Sequence, residues 1–158
     1  MKLGWILLLA GTAVQSCATP HGRSPYAIED GDREAVLAAL QDYVDGFVLG
    51  EPDYLERSLS PSLAKKGYRR ASPGDPYGDA VPLSYAAALE LSASLAASRE
   101  SRAGAVSAVE VFEVADKTAA GKVTAFWGID YVHLVKEEDG CWRIHHVLWQ
   151  TAPEPANE

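Results

Sequence analysis

Lys122-Val-Thr-Ala-Phe-Trp-Gly-Ile-Asp-Tyr-Val-His-Leu-Val-Lys136 leads through Glu137-Glu-Asp-Gly140 into Cys141-Trp-Arg-Ile-His-His-Val-Leu-Trp-Gln150. Both long runs are rich in aromatic and β-branched residues, the composition of pleated, half-buried strands. The acidic link between them ends in Asp139-Gly140, a strong hairpin signal. Three strands are predicted in this half of the chain, at about Val106 to Val114, Ala119 to Lys136 and Cys141 to Gln150, joined by short turns.

Upstream the periodicity changes from two to three and four. Val36, Leu37, Leu40, Tyr43, Val44, Phe47 and Val48 recur at helical steps between Asp32, read as an N-cap, and Gly50. A short second helix follows Pro52, capped by Asp53, with Tyr54, Leu55 and Leu59 as its apolar contacts, and Ser60-Pro61 ends it. Leu63 to Arg70 reads as an extended piece. Ala71 to Pro82, with three prolines and two glycines, reads as a loop able to lie over a cavity mouth. Ser84 to Ser98 carries Tyr85, Ala88, Leu89, Leu95 and Ala96 at helical spacing and forms a third helix. Helices first and a strand meander last is an α+β plan.

The length of 158 residues and the 47% hydrophobic content fit one domain with a core of its own. The start of the chain is different. Lys2 precedes an apolar run beginning Trp5-Ile6-Leu7-Leu8-Leu9-Ala10, shorter than the roughly 20 residues that span a bilayer, so residues 1–17 read as an export signal. Its end, Val14-Gln15-Ser16-Cys17-Ala18, resembles a bacterial lipobox, with Cys17 as the lipidated residue. Gln15 departs from that pattern and leaves ordinary cleavage after Ala18 open. Residues 18–31 read as a flexible tether, 32–150 as the folded domain and 151–158 as a disordered tail. The expected location is the cell envelope, as a periplasmic protein or membrane-anchored lipoprotein.

Loss of Lys2 with the signal changes the net charge from −8 to −9. An acidic surface without a Lys/Arg-rich run offers no footprint for nucleic acid. Membrane attachment is expected only through a lipid anchor at Cys17. Cys141, the other cysteine, reads as a small buried hydrophobe.

The order of these elements resembles the nuclear transport factor 2-like superfamily. Gln41-Asp42-Tyr43-Val44-Asp45-Gly46, Asp130-Tyr131-Val132-His133-Leu134-Val135-Lys136, Asp139-Gly140 and Trp142-Arg143-Ile144 are similar to the family known as putative lumazine-binding. The resemblance implies an α+β cone, N-terminal helices packed in a curved antiparallel sheet, whose cavity serves isomerases, dehydratases, cyclases and plain binding modules alike. It also implies a heteroaromatic ligand.

With an even-length loop between Lys136 and Cys141, Ile129, Tyr131, His133 and Val135 share a face with Trp142, Ile144, His146 and Leu148. That face is the more apolar and is assigned to core and cavity. Gly128 is a place for a bulge. Tyr43, Trp127, Tyr131, His133 and His146 are then the ligand-binding candidates, with Trp142 and Trp149 as further stacking surfaces. For catalysis the candidates are His133 or His146 as acid or base, Tyr131 as oxyanion donor and Asp130 as carboxylate. Asp130 is assigned to the opposite face, ion-paired beside Arg143 and His145.

No metal site is expected, since adjacent His145 and His146 point to opposite faces, and no cofactor motif, glycine-rich phosphate loop or Gly-x-Ser-x-Gly elbow is present. The leading expectation is a non-enzymatic module that binds a small apolar or heteroaromatic molecule and forms a homodimer. An isomerase or dehydratase, and a homodimeric scaffold without ligand, are the alternatives.

Overall fold

Gly31, at φ 95°, turns the chain into the first helix, α1 (Asp32–Asp45). The computed structural model describes residues 29, 31–102, 104 and 107–153. The export signal, Cys17, most of the tether and residues 154–158 of the tail lie outside the described residues. Helix α1 buries Val36, Ala39, Leu40, Tyr43 and Val44 on one stripe. Asp32 does not cap it. Its carboxylate instead accepts hydrogen bonds from Trp142 Nε1 at 2.9 Å and from Lys136 Nζ at 3.0 Å.

A π-helical turn (Gly46–Gly50) continues α1, and Ser92 Oγ donates to the Gly46 carbonyl at 2.6 Å. Helix α2 (Pro52–Ser58) starts with Pro52 in its first turn and Glu51, not Asp53, at the cap position. Strand β1 (Leu59–Tyr68) and the short β2 (Val81–Leu83) bracket the loop after Tyr68. Ser84 Oγ accepts from Ala87 N at 3.2 Å and caps α3 (Tyr85–Leu95), which runs through a 3-10 turn (Ala96–Ser98) into α4 (Arg99–Arg102). Strands β3 (Ala108–Val114), β4 (Thr118–Ala125), β5 (Gly128–Lys136) and β6 (Trp142–Gln150) complete the chain.

The six strands form one curved sheet in the order β2-β1-β6-β5-β4-β3. All neighbours are antiparallel except β1 and β6, which are parallel. The helices lie in its concavity, the α+β cone of the nuclear transport factor 2-like fold.

Two boundaries differ from those read in the sequence. The run from Ala119 to Lys136 is two strands, because the chain reverses at Phe126-Trp127. Gly128 lies at φ +138° after that turn, and a Cβ there would stand 2.0 Å from the Gln150 carbonyl oxygen. The strand after α2 begins at Leu59 and passes through Pro61.

The face assignment of the hairpin is also corrected. Its loop holds five residues, Glu137 to Cys141, so Lys136 pairs with Trp142 and Leu134 with Ile144. A bulge at His145 then shifts the register, and His133 pairs with His146. Trp142 and Ile144 therefore point inward with Asp130, Val132, Leu134, Val147 and Trp149, while Tyr131, His133, His146 and Leu148 point outward. Cys141 is exposed in the loop rather than buried.

The loop is clasped from within. Arg143 donates to both Asp139 oxygens at 3.1 and 2.8 Å, and the Cys141 N–H donates to Asp139 Oδ1 at 2.9 Å. The Arg143 bonds, with the Cys141 N–H, hold the Asp139 carboxyl at about 2 against an ordinary 3.8. The stabilisation this lowered pKa gives is present above 3.8 and fades as pH falls through that interval. Asp139→Asn should lower the urea midpoint of unfolding at about pH 6, and the difference from the parent protein should shrink to nothing near the folded-state value.

Candidate functional site

An ion pair lies inside the cone. Asp130 enters from the inner face of β5 and has no exposed surface. Lys65 reaches it from β1, with Nζ 2.9 Å from Asp130 Oδ2 and a side chain 6% exposed. The expected pairing of Asp130 with Arg143 and His145 is thus replaced. Arg143 and His145 bind Glu137 instead, at 2.7 and 3.1 Å.

A buried carboxylate is tolerated when its lone pairs are engaged. Asp130 Oδ1 accepts from Trp127 Nε1 at 3.1 Å. Oδ2 accepts from Lys65 and from the Tyr43 hydroxyl, whose oxygen accepts in turn from Lys65. Four elements meet in this network: α1, β1, β5 and the turn before β5. Burial, and then the Asp130 charge, push the Tyr43 phenol well above its ordinary pKa, so it is held neutral as a donor. Burial pulls Lys65 downward and Asp130 opposes that pull.

Beside the network is a cavity of about 400 Å³, within the range of small-molecule sites. Phe47, Lys65 and Trp149 form its buried floor. Val81, Leu91 and Phe126 are exposed at its rim, and Arg69 and Thr151 contribute polar groups. Tyr43, Phe47 and Trp127 meet edge to face, with centroid separations of 5.3 Å for Tyr43–Phe47 and 5.4 Å for Phe47–Trp127. The π-helical turn sets Phe47 in this row. Among the described residues no carboxylate lines the cavity.

The predicted residues divide between two places. Trp127 lines the cavity, and Tyr43 lies behind it in the Asp130 network. Tyr131, His133 and His146 stand on the outer sheet face around a separate, wider depression of about 740 Å³. The two imidazoles meet edge to face at 6.3 Å. Trp149 is part of the cavity floor, whereas Trp142 packs under α1 through its bond to Asp32. Among the described residues no three His, Cys, Asp or Glu side chains converge as a metal site.

Lys65, Arg69 and Phe47 were not among the predicted site residues. Lys65 carried one signal: it interrupts the inward phase Leu63-x-Lys65-x-Gly67 of a strand whose neighbours in that phase are buried.

The architecture is shared with solved structures. A nuclear transport factor 2-like protein of unknown function from Shewanella baltica superposes with a TM-score of 0.63 at 15% identity, over 81% of this chain and 99% of that one. One from Silicibacter pomeroyi gives 0.58 at 20% identity, over 74% and 92%. One from Methylobacillus flagellatus gives 0.56 at 14%, over 78% and 94%. At these identities the likeness establishes the fold, and the chain has the nuclear transport factor 2-like fold. Residues 31–150 match the family model described as "Putative lumazine-binding", and the chain belongs to that family. No curated protein matches the sequence.

The Lys65–Asp130 pair should behave as a coupled unit. Lys65→Met or Asp130→Leu alone should each cost about 3–5 kcal/mol, because one buried charge is left unpaired. The double substitution should cost clearly less than the two added together in a denaturant-unfolding cycle. Strict additivity would show that the two groups are not coupled in the folded state.

Proposed function

We propose that this chain is an exported, lipid-anchored domain that binds a small apolar or heteroaromatic molecule in the inner cavity and carries out no chemistry on it. The observation that carries the reading is the contrast between an aromatic cavity with no carboxylate among its described lining residues and an interior carboxylate that is wholly engaged. A general base has to reach the proton it removes. Asp130 instead lies behind Lys65 and Trp127 and already accepts three hydrogen bonds. An isomerase or dehydratase would need that carboxylate released toward the cavity. The description of the family supports a heteroaromatic ligand, and the flat surfaces of Trp127 and Trp149 suit one.

The N-terminal apolar run and Cys17 support a cell-envelope location in this reading. The outer sheet face serves a homodimer. Tyr131 and Leu148 are each about half exposed there, beside His133 and His146.

Native mass spectrometry of the protein purified from its own organism tests the reading. The expected spectrum shows a dimer carrying one small molecule per subunit and an N-terminal Cys17 bearing a diacylglycerol. An empty cavity in every subunit would remove the binding reading. An unmodified N-terminus after Ala18 would remove the anchor.

A further inference from the structure

Strand β1 presents Lys65 and Gly67 at alternate positions, and hence on one face, and Arg69 follows just past the strand's end at Tyr68. Gly67 pairs in register with Trp149, and the indole lies directly on it: a Cβ at Gly67 would stand 2.2 Å from Trp149 Cδ1. The two cations flank that indole. Lys65 Nζ is 5.7 Å and Arg69 Cζ 5.9 Å from the ring. Both line the cavity.

Their charges are compensated unequally. Lys65 is paired with Asp130, and its ammonium uses two of its three donors, on Asp130 and Tyr43. Arg69 makes no ion pair among the described residues. The other described arginines donate to a carboxylate or a backbone carbonyl: Arg57, Arg99 and Arg143 to acids, Arg33, Arg70 and Arg102 to carbonyls. Arg69 is the one arginine among the described residues that makes no such bond. In a chain of net charge −8 an uncompensated arginine at a carboxylate-free cavity is out of keeping with the rest of the surface.

From this arrangement we infer that the cavity selects a monoanion, a flat apolar body bearing one carboxylate or equivalent acidic group, with Arg69 and the remaining Lys65 N–H donor receiving the acid beside Trp149. This rests on the cavity-binding reading and specifies its ligand class. One negative charge balances the set of Asp130, Lys65 and Arg69, whereas a neutral ligand gains no charge-assisted bond from the Arg69 guanidinium. The overall negative charge does not prevent entry, because at physiological salt exposed charges are screened over about 8 Å.

The test compares 2-naphthoate with its neutral isostere 2-naphthamide by calorimetry and by quenching of tryptophan fluorescence. The wild-type protein should bind the acid about tenfold more tightly than the amide. Arg69→Gln, at an exposed position, should melt like the wild type, weaken the acid by about tenfold and leave the amide within about twofold. Arg69→Lys should recover most of the acid affinity. Equal binding of acid and amide by the wild type, or an Arg69→Gln variant that binds the acid undiminished, would overturn the inference while leaving the cavity a binding site. If neither probe bound the wild type up to millimolar concentration, the cavity-binding reading would fall and the inference with it.

Discussion

The constraint on which the rest of the structure depends is the placement of one carboxylate, Asp130, where no water reaches it. An ionised carboxylate cannot be buried alone, so Lys65, Tyr43 and Trp127 must all arrive at the same point. Those groups come from β1, α1 and the turn preceding β5, segments up to 87 residues apart. A slip of β5 by one residue would carry Asp130 to the outer face and turn Val132 and Leu134 out of the core with it. The network therefore sets register as well as local packing. It also sets the depth of the cavity, because Lys65 and Trp127, held by Asp130, form part of its wall.

What was legible in the sequence follows from which forces are local. The stripe from Val36 to Val44 and the strands on either side of Asp139-Gly140 are short-range patterns, and the structure has them. The inner and outer faces of the hairpin were not legible, because they depend on a five-residue loop and a bulge at His145. One extra residue there reverses the assignment of everything beyond it. Trp142 and Ile144 lend apolar weight to one face by simple alternation, yet they lie inward with Val132 and Leu134. Asp32 looked like a cap for a similar reason. Its residue type suits capping, but a tryptophan 110 residues away claims its carboxylate. The partnership of Lys65 with Asp130 spans 65 residues and has no local signature beyond a lysine in the buried phase of a strand.

The bulge also separates two kinds of surface that the sequence placed together. His133, His146 and Tyr131 stand outside on the sheet. The aromatic walls stand inside. Proton chemistry on a molecule held in the cavity would need a titrating group that reaches it, and the cavity-lining groups that titrate are cations. Membership of the family and likeness to other cones fix the container, while the content is set by its lining.

That lining depends on a glycine behind it. Gly67 lets the Trp149 indole lie against the β1 backbone, which keeps the ring out of the space it borders. Any side chain at Gly67 would collide with the indole, and the ring would have to move. The close approach that the missing Cβ permits lets this side of the cavity present a flat indole beside two cationic side chains.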